Sequence, residues 1–140
     1  MSTFKEERSK LAPDSKRYGK DIISNFNVDE DLVTWDVDNY TNYEVNITHP
    51  EVAALCPVSG YPDYGSVHIQ YIPDSKTVEL KALKLWINSY RDKNISHEDL
   101  LQEIFSILKN KLEPKMLSVV LEMNPRGNVK TVVSARFDKE

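Results

Sequence analysis

Cysteine is nearly absent from this chain: Cys56 is the one cysteine in 140 residues. A lone cysteine cannot close an intrachain disulfide, which suits a reducing cytoplasm. Glycine is scarce too. Gly19, Gly60, Gly65 and Gly127 form neither a dinucleotide fingerprint nor a phosphate loop. Long apolar runs are missing, so no segment reads as a membrane span. The amino terminus, MSTFKEERSKLAPDSKRYGKD, is charged and lacks the apolar stretch of a secretory signal. The net charge of −4 argues against attraction of the whole protein to nucleic acid. Three scattered histidines and one cysteine make no metal-ligand spacing, and no Ser-His-Asp arrangement can be read.

What is present suffices for one core. Hydrophobic residues make up 40% of the chain and charged residues 29%, a globular profile at the size of one ordinary domain. Residues 1–20 are of mixed charge and read as a mobile arm, leaving a single domain over residues 21–140.

Hydrophobic period then orders the chain. NYEVNITHP alternates Tyr43, Val45 and Ile47 against polar neighbours, as a half-buried strand does, with Pro50 expected to help end it. The stretch Ala54 to Ser66, ALCPVSGYPDYGS, holds prolines and glycines and reads as a loop. SVHIQYIP is a second strand with Val67, Ile69 and Tyr71 on one face. In SKTVELKALKLWINSYR the period changes to that of a helix. Leu80, Leu83, Trp86, Ile87 and Tyr90 gather on one face, and Lys81, Lys84, Asn88 and Arg91 on the other. Ser96 has the position of an N-cap, with Asp99 three residues later, and opens a second helix that runs to Pro114. KMLSVVLEM and NVKTVVSARF read as two further strands joined by a turn at NPRGN. The order β-β-α-α-β-β predicts an α+β fold, a four-stranded antiparallel sheet with two helices on one face. Such a sheet leaves two edges that need cover or partners, which points to a homo-oligomer.

Several side chains invite a chemical reading. Cys56 is either a small packed hydrophobe or, in its loop, a nucleophile whose strength depends on a lowered pKa. Asp63, seven residues on, is either a turn residue or an acid beside that thiol. Glu79 falls on the apolar side of its helical wheel, where a carboxylate must be paired or must reach the free N–H groups of the first turn. His97 and Glu98 open the second helix. The Lys81, Lys84, Asn88 and Arg91 stripe is either a solvated face or a phosphate contact.

Together these stretches resemble one family. ELKALKLW, Glu79 to Trp86, is similar to the signature octet of the nitrile reductases of queuosine biosynthesis, the QueF family. LCPVSGYPDYGS is similar to that family's cysteine loop, and the HED and NPRG stretches fall where the family has them. The resemblance spans roughly Tyr43 to Phe137. It implies a tunnelling fold in its short single-unit form, assembled into rings with active sites between subunits. It also implies NADPH-dependent reduction of 7-cyano-7-deazaguanine to 7-aminomethyl-7-deazaguanine. Cys56 would form a covalent thioimide and Asp63 would act as general acid. Glu98 would bind the guanine-like edge, with His97, Val78, Glu79 and Leu80 around the substrate. Lys81, Lys84 and Arg126 would be the cofactor residues. Some relatives carry a second cysteine where this chain has Leu100, so no internal disulfide can protect Cys56. Two alternatives remain at this stage. One is an amidinotransferase-like relative acting on a deazaguanine nitrile in tRNA; the other is a non-catalytic deazapurine-binding module.

Overall fold

A computed structural model of the chain describes residues 23–38, 40 and 42–140. The expected amino-terminal arm lies outside the described residues. In chain order the elements are α1 (Val28–Asp31), β1 (Thr34–Asp36), β2 (Val45–Leu55), β3 (Pro62–Ile72), β4 (Lys76–Val78), α2 (Leu80–Asn88), a 3₁₀ turn (Ser89–Asp92), α3 (His97–Leu112), β5 (Met116–Met123) and β6 (Val132–Asp138). Four strands form one antiparallel sheet in the order β2-β3-β5-β6. A second, two-stranded ladder of β1 and β4 lies outside the sequence expectation.

The core lies between the sheet and the two longer helices. Val67, Ile69 and Tyr71 on β3 and Leu117, Val119 and Leu121 on β5 are buried in register against Leu83, Trp86 and Ile87 of α2 and Leu100, Ile104 and Leu108 of α3. The alternation that predicted the strands is thus the alternation between core and open face. Trp86 Nε1 donates to Tyr90 Oη at 3.1 Å, so the largest buried ring keeps its polar atom satisfied. The open face of the sheet is polar. There His68 lies 3.3 Å from Thr48 Oγ1 and 3.6 Å from Glu122, which also pairs with Lys130.

Three boundaries differ from expectation, each for a physical reason. Pro50 does not end β2. The strand runs on to Leu55, with a register shift between His49 and Val52. β2 is an edge strand of this sheet, where a residue without an N–H is tolerated, especially at a bulge. Second, β3 begins at Pro62 and contains Asp63, so the expected loop from Ala54 to Ser66 contracts to residues 56–61. Third, Lys76–Val78 is strand and α2 starts only at Leu80. Glu79 is the N-cap, its carboxylate accepting from the N–H groups of Lys81 and Ala82 at 3.0 and 2.6 Å. That capping takes Glu79 off the helical wheel, and Leu80, expected on the apolar face, is 61% exposed. α3 matches its reading, with Ser96 Oγ accepting from Asp99 N.

Candidate active site

The bulge in β2 sets the geometry that follows. Before it the core-facing residues are Val45, Ile47 and His49, and after it they are Val52 and Ala54. One extra residue exchanges the faces of everything downstream. Ala54 then pairs with Asp63 across the β2–β3 ladder, and Cys56 follows two residues on. The loop is closed by two backbone bonds, Cys56 N to Tyr61 O and Gly60 N to Cys56 O, both 2.8 Å.

The other walls are brought in by backbone contacts. Leu55 N donates to Lys93 O and accepts, through its carbonyl, from Ile95 N. This short parallel bridge carries Ser96, His97 and Glu98 to the cysteine loop. On the other side Asn124 N donates to Tyr64 O at 2.8 Å, tying the β5–β6 connection to the start of β3. That connection ends in a tight turn in which Arg126 and Val129 exchange both backbone bonds. Its two central residues, Gly127 and Asn128, have φ of 56° and 67°, the left-handed pair that a two-residue hairpin turn needs.

The result is an open cleft of about 290 Å³ lined by Cys56, Pro57, Val58, Asp63, Ser96, His97, Glu98 and Arg126. Cys56 is half-buried. The Ser59 hydroxyl, with the backbone N–H groups of Ser59 and Val58, hydrogen-bonds the sulfur and holds its pKa below the ordinary thiol value. Burial and the nearby charge of Asp63 act in the opposite direction. The Asp63 side chain is 6% exposed and accepts from the Arg126 guanidinium on one oxygen. Its other oxygen lies 3.3 Å from His97 Nε2. A thiol with a lowered pKa, a buried carboxylate and an exposed carboxylate, Glu98, therefore share one cleft. This set can attack an electrophilic carbon, move a proton and accept hydrogen bonds from a polar ligand.

Of the residues singled out from sequence, the fold gathers Cys56, Asp63, His97, Glu98 and Arg126. Val78, Glu79, Leu80, Lys81 and Lys84 do not line this cleft. Val78 is core, Glu79 is a cap, and Lys81 and Lys84 lie on the first turns of α2. Ser59 was missed, although a hydroxyl three residues after a cysteine in a turn is a readable signal. Arg126 was expected at the cofactor; its hold on Asp63 was not foreseen.

A family model described as QueF-like protein matches residues 62–140. An NADPH-dependent 7-cyano-7-deazaguanine reductase of Sulfurimonas denitrificans is 48% identical over 88% of this chain and 98% of its own. The chain belongs to this reductase family. A reductase of the same name from Nitratiruptor sp. is 51% identical over 84% of this chain and 89% of its own. Among solved structures, the crystal structure of the archaeosine synthase QueF-Like in the apo form matches with a TM-score of 0.64. It covers 69% of this chain and 94% of that one, at 24% identity, and shows that the family's tunnelling fold is the fold found here. The α+β reading of the sequence is borne out. No helix among the described residues is long and apolar enough to cross a membrane.

Proposed function

We propose that this member of the reductase family uses Cys56 and Asp63 to reduce the nitrile of 7-cyano-7-deazaguanine to the aminomethyl group, with NADPH as reductant, in queuosine biosynthesis. The observation that carries the reading is the convergence of a thiol of lowered pKa and a buried carboxylate in one cleft. The thiolate of Cys56 adds to the nitrile carbon. As the Sγ–C bond forms, one π bond of the nitrile breaks toward nitrogen, and Asp63 delivers a proton to that nitrogen. The product is a thioimide on Cys56 and a carboxylate on Asp63. His97 Nε2, 3.3 Å from that carboxylate, is placed to return a proton to it. Glu98, exposed in the cleft, accepts from the two adjacent N–H donors of a guanine-type edge.

When bound, NADPH supplies hydride. Lys81 and Lys84, one turn apart on α2, and Arg126, half-exposed at the cleft, are the cations this reading assigns to its phosphates. Lys84→Ala should raise the apparent KM for NADPH while the nitrile still labels Cys56; loss of labelling and reduction in parallel would assign the stripe to the fold or the base pocket instead.

A homo-oligomer completes the site in this reading. β2 and β6 are the outer strands of the sheet, and the cleft is open in the single chain. The exposed Leu80, with Glu79 and Val78 beside it in the chain, then serves the cleft of a neighbouring copy. Sedimentation showing only monomer in an active preparation would contradict this. The reading also places the protein in the cytoplasm, with the described residues as one domain.

The amidinotransferase alternative has weaker support. The archaeosine synthase likeness is one of fold, at 24% identity, whereas the relatives near half identity are named as reductases. Mixing the protein with the nitrile base and NADPH, and following cofactor absorbance and product mass, tests the reading directly. Absence of the aminomethyl product with an intact fold would overturn it.

A further inference from the structure

We infer that Trp35 of one copy walls the cysteine cleft of the next. The inference rests on the proposed function and adds to its site a residue supplied by the partner copy. Trp35 is 57% exposed, whereas Trp86, the chain's other tryptophan, is 1% exposed in the core. The ladder that carries Trp35 dictates this. β1 pairs with β4 at Thr34↔Val78 and Trp35↔Thr77, and Glu79 N donates to Val33 O at 2.9 Å. Successive residues of a strand face opposite ways. Leu32 and Val78 are buried, so Thr34 shares the inner face while Val33 and Trp35 take the outer one. The bond to Glu79 brings that ladder to the start of α2, where Leu80 is exposed as well. Val33, Trp35 and Leu80 are the exposed large apolar residues of this corner.

The corner does not serve the chain's own cleft, whose lining includes no residue of β1, β4 or α2. A second copy offers the matching surface. The rim of the cleft is apolar too: Val58 and Tyr61 of the cysteine loop and Val129 of the turn that carries Arg126 are exposed. The charges also match, since Lys81 and Lys84 stand on α2 just after Leu80 and Glu98 is exposed in the cleft. Residues 78–80, assigned above to a neighbour's cleft, are continuous with the corner, and the bond from Glu79 N to Val33 O makes β1 go where they go. Corner and rim are different surfaces of one chain, so their contact runs head to tail from copy to copy. The chemistry gives the wall its purpose. The cleft is open in the single chain, and the thioimide carbon on Cys56 is exposed there to attack by water. A docked tryptophan takes about 150–250 Å² of apolar surface out of water and closes the site around the adduct.

Two impaired variants carrying different purification tags test this. Trp35→Ala lacks the wall and Cys56→Ala the nucleophile. Each is assayed alone with the nitrile base and NADPH, and then the pair is assayed after co-expression and selection for both tags. Trp35→Ala alone should lose kcat/KM on the order of tenfold or more, the worth of a large apolar contact, while Trp35→Phe, which keeps an aromatic ring, should retain most of it. In mixed assemblies roughly one cleft in four unites an intact Cys56 with an intact Trp35 from the next copy, so activity should rise well above that of either variant. Mixed assemblies, intact by sedimentation, that are no more active than Trp35→Ala would overturn the inference, because a copy lacking Cys56 cannot restore a tryptophan that acts on its own chain. Trp35→Ala as active as wild type would overturn it too. Where Trp35→Ala sediments as a monomer, Trp35→Leu, which keeps apolar area, takes its place in the same pairing. No reduction by wild type would instead sink the proposed function, and the inference with it.

Discussion

Asp63→Asn separates chemistry from architecture because its three consequences differ in direction. The substitution preserves volume. The amide oxygen still accepts from Arg126, and the amide NH₂ faces His97 Nε2, which accepts in one of its tautomers. An ion pair becomes a hydrogen bond from the guanidinium to a neutral amide, but Arg126 is 49% exposed and its half of the pair is screened by solvent. The cost in folding stability is therefore about 1–2 kcal/mol. The catalytic cost is larger, since an amide has no proton to give; thioimide formation should slow by about 10²–10⁴-fold. The third effect has the opposite sign. The Asp63 charge raises the Cys56 pKa, so its removal favours the thiolate. A generic alkylating agent such as iodoacetamide should then react faster at neutral pH. Intact mass with the nitrile, thiol alkylation and urea denaturation read the three effects on one preparation. Slower nitrile labelling with faster alkylation is the expected pattern. Both rates falling together would mean that the cysteine loop has lost its shape, and unchanged nitrile labelling would leave Asp63 only a structural partner of Arg126.

Ser59→Ala removes the first of the groups that lower the Cys56 pKa; the thiolate fraction at a given pH falls, and the pH profile of iodoacetamide labelling should move to higher pH, an unchanged profile refuting the assignment. Glu98→Gln replaces one acceptor by a donor, and a hydrogen bond to a charged group is worth roughly 1.5–3 kcal/mol, so affinity for the nitrile base should fall about 10- to 150-fold. Titration in a Cys56→Ala background reads this non-covalent step, and equal affinities would make Glu98 a helix-terminal charge only. Gly65→Ala would press a Cβ onto Glu122 O and within 2.8 Å of Met123 Cα and Sδ. The clash falls on backbone in the centre of the sheet, so about 1–3 kcal/mol of stability should be lost in denaturant unfolding; wild-type stability would show that β3 and β5 can separate there at no cost.

Local signals carried most of the fold because they act over a few residues. The alternation of Val67, Ile69 and Tyr71 and the Ser96 cap of α3 both appear where sequence placed them. The octet and the cysteine loop pointed to the family for the same reason, being contiguous strings. The β1–β4 ladder escaped notice because three-residue strands bury little and pair residues about forty positions apart. At the start of α2 the structure chooses the second of the two readings open for Glu79, a carboxylate that reaches the first-turn N–H groups, and a helical wheel by itself does not choose between them.

Sequence by itself thus determined the four strands of the main sheet and the two longer helices, their order, and the identity of Cys56, Asp63, His97 and Glu98 as candidates. Tertiary structure decided which of them meet. The bulge after His49 exchanges the faces of β2 and sets Ala54 opposite Asp63, and no pattern within NYEVNITHP announces it. Arg126 reaches Asp63 across 63 positions of chain, through a turn whose geometry is local but whose target is not. Caps and periods are fixed by neighbours three or four residues away. A buried carboxylate instead takes whatever cation the packed sheet brings to it, and only the folded chain settles which one that is.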